Sequence, residues 1–308
     1  MHAPNGSQNL TGVSLVIETE TDEPGHDIRL IDVIAAWRSQ TAAGRIDEWI
    51  VVASRSPSPA EQRALADLPH VWLARPGLRY HENKNAGIAI SKGAFVALAD
   101  SDVRPARDWL ERALAAIETT GPRVALVTGR SAYAPGPFSR ELALAQWPNH
   151  GSEAADVTHF LAHNILLRGE VARAFPFPES EAELRHGPDA SLAERLRAEG
   201  WTLRYDPSLR MTHNAATSLS EVWRHCLAHG HTEARFRQAR GLPQTGVLHE
   251  GVGRLRVLFR RLLQGGTDVG IGAARLPFAF AFYAAFAATL AVGRWKAERG
   301  EPEVIEPF

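Results

Sequence analysis

The stretch NKNAGIAISKGAFVALADSD (Asn83–Asp102) decides how this chain is read. It predicts a helix over Asn85 to Lys92 that carries Gly87, then Gly93, then a strand over Ala94 to Ala99 whose apolar residues run without a charge. An uninterrupted apolar run of this length is the mark of a strand buried on both faces. The strand ends on Asp100-Ser101-Asp102, two carboxylates with one residue between them and no neighbouring charge on the strand to balance them.

Working outward, the same alternation repeats. VSLVIE (Val13 to Glu18) reads as a first buried strand, and a helix with Ile28, Ile31, Val33, Ile34 and Trp37 follows. EWIVVAS (Glu48 to Ser54) is a second strand, a short helix follows Pro59, and His70 to Ala74 is a third strand. Strands alternating with helices imply an α/β fold, with a mostly parallel central sheet and helices on both faces. Ligands of such sheets bind outside the carboxyl ends of the strands. Glu18 to Glu20, Ala53 to Arg55 and Asp100 to Asp102 are therefore expected to converge on one crevice.

From about Arg123 the pattern is mixed: a strand RVALVTGRSAY, a helix near Arg140 to Gln146, the apolar segment HFLAHNILLR, and a helix from Asp189 to Glu199 closed by Gly200. After Tyr205 the chain turns mostly helical, over Ser220 to Arg240, Val247 to Leu263 and an apolar stretch from about Ile271. The expected organisation is a disordered lead over 1–12, an α/β domain over 13–215 and a C-terminal helical extension over 216–308. Within the extension, LPFAFAFYAAFAATLAVG (276–293) has no charge and is bracketed by Arg275, Arg294 and Lys296. Its length lies at the lower edge of what spans a bilayer. Two roles are open for it, contact with a membrane surface or burial as a terminal helix.

Composition narrows the function classes. Of 308 residues, 44% are apolar and 22% charged, enough for a sizeable core. The formal net charge of -1 provides no global field for nucleic acid, which excludes DNA and RNA as expected partners. The single cysteine, Cys226, cannot form an intramolecular disulfide, and the N-terminus lacks a basic-then-apolar secretory pattern. A cytoplasmic setting is expected, peripheral at the inner face of the membrane if the apolar helix touches lipid.

Four short motifs offer chemistry. The two carboxylates of Asp100 and Asp102 are hard oxygen donors suited to a divalent cation, although the same string also serves as a loop cap or turn. A cation there would offset the charge that develops on a diphosphate leaving group. In HGPDASLAERLRAEGW, Asp189 opens a helix after Gly187 and Pro188. It reads either as a plain cap or as a general base that takes the proton of an attacking hydroxyl. His213, in RYDPSLRMTH, ends a predicted strand and offers an imidazole nitrogen to the same cation. In HCLAHGH, His225, His229 and His231 include a pair four residues apart, a spacing that could hold zinc if a carboxylate or third histidine joined it.

Taken together, the opening strand VSLVIETE, the block KNAGIAISKGAFVALADSD, the segment HNILLRGEV and the stretch GPDASLAERLRAEGWTLRYDPSLRMTH resemble, in order and spacing, the family-two glycosyltransferases with the A-type nucleotide-sugar fold. The resemblance covers roughly Val13 to Arg240. It implies that Asp100 and Asp102 form the metal and diphosphate motif, with Ser101 between them, that His213 is a further metal or phosphate ligand, and that Asp189 is the catalytic base. Lys84 and Asn85 match the family's Arg-Asn pair beside the nucleotide. Glu18, Thr19 and Glu20 stand where the family commonly has Pro-Thr-Tyr, and Ser54 and Arg55 where it frequently has an acidic pair. Pro188 replaces the glutamate that usually precedes the base. His163 and Asn164 fall in the family's acceptor-lining region, where core or turn hydrogen bonding explains them equally well.

The function this implies is inverting transfer of a single sugar from a nucleotide diphosphate sugar, UDP-sugar favoured, to an acceptor hydroxyl, assisted by Mn2+ or Mg2+. No Q-x-x-R-W string follows His213, which favours single transfer over chain synthesis. The acceptor is left unnamed. The competing reading is a nucleotide-sugar-binding protein without catalysis, motivated by the altered positions at Glu18 to Glu20, Ser54 and Pro188. A nucleotidyltransferase is disfavoured, because no glycine-rich phosphate loop lies near Ile17 to Gly25.

Overall fold

The computed structural model describes residues 11–19, 28–146, 151–181, 184–214, 218–242 and 247–302. Residues 1–10 of the lead expected over 1–12, and the candidate Glu20, lie outside the described residues.

Four parallel strands form the first half of the sheet. These are β1 (Val13–Glu18), β2 (Ile46–Ala53), β3 (His70–Ala74) and β4 (Phe95–Asp100), with α1 (Leu30–Arg38), α2 (Pro59–Leu65) and α3 (Tyr80–Ile90) as their crossovers. β1 and β4 are buried along their whole length, which is why they lack the polar alternation of a half-exposed strand. The second half is assembled from β5 (Val103–Pro105), β6 (Val124–Tyr133), β7 (Ala155–Val157), β8 (Ile165–Arg168) and β9 (Thr202–His213). The order is β3-β2-β1-β4-β8-β6-β9-β5, with β7 also on β9. β8 is antiparallel to both of its neighbours, β4 and β6, so the parallel register stops at β4 and the sheet as a whole is mixed.

Two apolar clusters fill the faces of the sheet. One packs Leu15, Ile17, Trp37, Trp49 and Trp109, and the other packs Val16, Val52, Leu98, Phe160 and Phe177. Trp109 opens α4 (Trp109–Thr119), a helix not marked by the sequence pattern, and its indole stands edge-on to Trp37 with ring centroids 5.2 Å apart. The remaining helices are α5 (Ser139–Gln146), α6 (Gly169–Ala174), α7 (Pro188–Ala198), α8 (Leu219–Ala239), α9 (Val247–Gly265) and α10 (Leu276–Glu298).

A third cluster joins α5, α8, α9 and α10 through Leu142, Val222, Leu258, Tyr283, Phe286 and Leu290. Contact between α8 and α10 is close because glycines meet there. A Cβ added at Gly230 would lie 2.1 Å from the Leu290 carbonyl oxygen, and one at Gly293 would lie 2.1 Å from that of Leu227. The stretch Ala273–Glu298 is long and apolar enough to cross a membrane by length and composition, and 44% of its most apolar window is buried by the rest of the chain. Phe278, Val292 and Trp295 stay exposed on it. It is thus a packed helix with one apolar face outward, a placement that serves either of the two roles expected for it.

Candidate active site

The site begins at the carboxyl end of β4. Register places Glu18 of β1 beside both Val52 of β2 and Asp100 of β4, so the strand ends converge as the alternation predicts. Glu18, Asp100, Ser101 and Asp102 are all buried there. Asp100 is fully engaged: Lys84 of α3 pairs with its Oδ1, and the Tyr80 hydroxyl donates to Oδ2 at 2.7 Å. Burial is the largest influence and opposes charge on this carboxyl, yet Lys84 together with the other groups around it, the Tyr80 hydroxyl among them, holds the pKa below the ordinary carboxylate value. Burial and the adjacent Asp100 push Tyr80 the other way, far up, so its hydroxyl keeps the proton it donates.

Asp102 acquires its partner through strand pairing. The short β5 runs antiparallel to β9 and sets Val103 opposite His213, while the parallel β6 sets Tyr133 opposite the same residue. His213 Nε2 then stands 3.5 Å from Asp102 Oδ2, and its ring meets those of Tyr133 and His163 edge-on at 5.5 and 5.6 Å. Asn214 closes this corner by exchanging two hydrogen bonds with the backbone of Ile28, at 2.9 and 3.0 Å.

His163 precedes β8 and lies 4.0 Å from Asp100 Oδ2, with its Nε2 2.8 Å from the Ser131 hydroxyl. Burial lowers its pKa to about 3 and does the same for His81, whose Nδ1 lies 2.9 Å from the Leu184 carbonyl. Both rings are neutral at physiological pH. Asn164, by contrast, is a core bridge: it accepts from the Trp109 indole at 2.8 Å and donates to Ser131 at 3.2 Å.

A cavity of about 480 Å³ opens beside these groups, and Asp100, His163, His213 and Asp189 all line it. Asp189 reaches it from the first turn of α7. Gly187, the residue that caps this helix, has φ of +113°, where a side chain is strained, and an added Cβ would strike the Phe236 ring at 2.3 Å. Glycine thus lets the helix start against α8 with Asp189 facing the cavity. Burial is the largest influence on the Asp189 carboxyl, and its pKa is raised despite a 2.9 Å hydrogen bond from the Ala190 amide.

Other candidates are placed elsewhere. Both ends of the Asn85 amide bond the Phe177 backbone at 2.9 Å, so this residue pins a loop and does not line the cavity. Thr19 donates to the Val52 carbonyl at 3.2 Å. Ser54 is exposed just past β2, and Arg55 beside it pairs with the nearly buried Glu61 of α2 at 2.6 Å. Of the histidines in the HCLAHGH run, His231 turns to the Glu301 carbonyl at 3.0 Å. His225 and His229 meet His186 instead, with ring centroids 6.4 and 4.3 Å from it. Tyr80 and His186 carry no signal in the sequence pattern, because their roles depend on partners from other segments.

The motif at the end of β4 implies a divalent cation. Among the described residues no group of three or more His, Cys, Asp or Glu is arranged as a self-sufficient metal site. Asp102 and His213 nevertheless offer a carboxylate and an imidazole at one point, and Mg2+-like ions bound with phosphates need only one or two protein ligands. The pair fits a cation shared with a diphosphate, and Asp100, which lines the cavity, accepts one hydrogen bond on each oxygen and keeps further lone pairs for a cation.

The fold is the A-type glycosyltransferase architecture. The resemblance to family-two glycosyltransferases stands, since residues 29–164 match the family model described as glycosyl transferase family 2. Among solved structures, a mannosyltransferase from Pyrobaculum calidifontis in complex with GDP-Man and Mn2+ aligns at a TM-score of 0.59 and 16% identity, covering 96% of this chain and 89% of that one. S. aureus TarS 1-349, in complex with UDP-GlcNAc, aligns at 0.55 and 15% identity, covering 94% and 93%. The pre-mycofactocin glycosyltransferase of Mycobacterium tuberculosis is 31% identical over 148 residues, which are 45% of this chain and 30% of that protein. The match therefore spans less than a third of the curated relative's length.

Proposed function

We propose that this chain transfers a single sugar from a nucleotide diphosphate sugar to an acceptor hydroxyl, inverting the anomeric carbon. The observation that carries the reading is that one cavity gathers Asp100, His213 and Asp189 from three distant segments at the carboxyl edge of the sheet. The relatives lend support: the TarS and mannosyltransferase structures were obtained with UDP-GlcNAc and GDP-Man. UDP is the first nucleotide to examine, although Arg55 pairs with Glu61 just past β2, where an acidic pair is common in the resembled family.

In this reading Asp102 and His213 hold Mn2+ or Mg2+ against the diphosphate. When bound, the cation neutralises charge that develops on the leaving nucleotide. Lys84 and Tyr80 fix Asp100 in place, so that it orients the donor side of the pocket and can share the cation through its remaining lone pairs. Asp189 accepts the proton from the acceptor hydroxyl as that oxygen attacks the anomeric carbon and the bond to the diphosphate breaks. A carboxyl whose pKa is raised by burial is a stronger base than an ordinary aspartate, which suits this task.

Calorimetric titration of UDP, GDP, dTDP and CDP, with and without Mn2+ or Mg2+, tests the donor side. Metal-dependent binding of one nucleotide is expected. Asp102→Ala should abolish it, while Asp189→Asn should bind as tightly as the parent and lose turnover. Equal loss of binding in both variants would overturn the division of roles. Metal-dependent binding without any transfer to a panel of acceptors would favour the second reading, a nucleotide-sugar binder without catalysis.

A further inference from the structure

Away from the strand ends, the same cavity is walled by α8, α9 and α10, and its charges there do not balance. Arg254 of α9 pairs with Glu233 of α8. Arg261 lies two turns further along α9 and therefore on the same face. Its Nη1 donates to the carbonyls of Ala145 at 3.0 Å and Leu144 at 3.5 Å, at the end of α5. Among the described residues, no carboxylate pairs with it. Burial, and then the neighbouring Arg254, pull its pKa below the ordinary guanidinium value, so the two cations stand close enough to repel. Both line the cavity together with the apolar Phe236, Phe286 and Leu290.

Two guanidiniums against one carboxylate, half-buried beside apolar side chains, is a costly arrangement for folding alone. An anion between them would remove the cost, and guanidinium donors match the oxygens of phosphate and carboxylate two at a time. We propose that Arg261 and Arg254 form an oxyanion subsite for a phosphate or carboxylate group of a ligand bound in this cavity. The subsite stands on its own geometry; its place in a reaction rests on the transferase reading. Two ligands of that reaction can bring the anion: the donor, through its diphosphate, or an acceptor that carries an acidic group.

The test is calorimetry on the full chain with inorganic phosphate alone, with UDP plus Mn2+, and with phosphate added to UDP-Mn2+-saturated protein. Charged hydrogen bonds of about 1.5–3 kcal/mol predict a roughly ten- to hundredfold loss of phosphate affinity in Arg261→Gln. Glu233→Gln, which releases Arg254 from its carboxylate, should tighten phosphate several-fold, and it decides the matter if Arg261→Gln does not fold. If phosphate competes with UDP and both weaken in Arg261→Gln, the anion is the donor's diphosphate. If phosphate binds alongside UDP and it alone weakens, the anion belongs to the acceptor. Phosphate binding that Arg261→Gln weakens, without any nucleotide binding, would keep the subsite and sink the transferase reading. No phosphate binding by the parent protein, or identical binding by parent and variants, would overturn the subsite while leaving the nucleotide result to judge the transferase.

Discussion

The two walls of the cavity handle charge in opposite ways. On the strand-edge wall Asp100 is paired with Lys84 and Tyr80, and Asp102 stands 3.5 Å from the His213 ring. On the helical wall Asp189 is held with a raised pKa, and Arg261 has no carboxylate partner among the described residues. Lys84 and Tyr80 fix Asp100 before any ligand arrives, so the first wall can act as a template for the cation proposed at Asp102 and His213. The second keeps its charges in unfavourable surroundings, where a proton or an anion gains most by binding. In the proposed function the proton acceptor lies on the helical wall, whereas the sequence motif that attracts the eye lies on the other.

The sharpest way to break this comparison is Asp189→Asn. As the base, Asp189 should contribute roughly 10²- to 10⁴-fold to turnover, measured as kcat with saturating donor. Its carboxyl binds its proton more tightly in the folded protein than in the unfolded one. The native state thus holds more protons between the two pKa values, and stability falls as pH rises through the ordinary aspartate value near ~3.9 toward the folded one. Above both values the penalty is fully present. Asp189→Asn should therefore be at least as stable as the parent to urea at pH 7, and a marked loss of stability would show that Asp189 is a structural cap.

Lys84→Met probes the opposite wall. It leaves Asp100 buried without its cation, so a destabilisation of about 3–5 kcal/mol is expected by urea denaturation. Loss of nucleotide binding without loss of stability would mean that Lys84 contacts the donor and does not build the template.

A smaller effect is expected from pH alone. His81 and His163 have folded pKa values of about 3, so both stay neutral in the native state while the unfolded chain protonates them near ~6.5. The unfolded state then binds more protons, and stability should fall as pH drops from about 6.5 toward 3, by about 1.4 kcal/mol per pH unit for each ring. His163→Gln should flatten this slope in pH-dependent thermal melts. An unchanged slope would place its ring in contact with water.

Much of the strand-edge wall is legible in the sequence. The apolar run of β4 and the two aspartates that end it are local features, and the carboxyl-edge rule locates them. The start of α7 at Pro188 and Asp189 is equally visible, because a helix announces itself over one or two turns. The hidden part is the identity of partners. Lys84 reads as a residue beside the nucleotide, but the structure places it under Asp100. Asn85 reads likewise, and its amide is consumed by the Phe177 backbone. The HCLAHGH run suggests its own three histidines as a group, whereas His186 from a separate segment joins two of them and His231 leaves.

The sequence by itself determined the alternation of strands and helices, the sheet edge at which the candidate residues gather, and the candidate roles of Asp100, Asp102, Asp189 and His213. These follow from periodicity and local chemistry, which act over a few residues. Only the tertiary structure decided the mixed second half of the sheet, the pairing of β5 with β9 that brings His213 to Asp102, and the packing of α9 that leaves Arg261 facing the cavity. Charge balance in a pocket depends on strand register and helix packing between segments far apart in the chain. Neither is written in any one stretch of it.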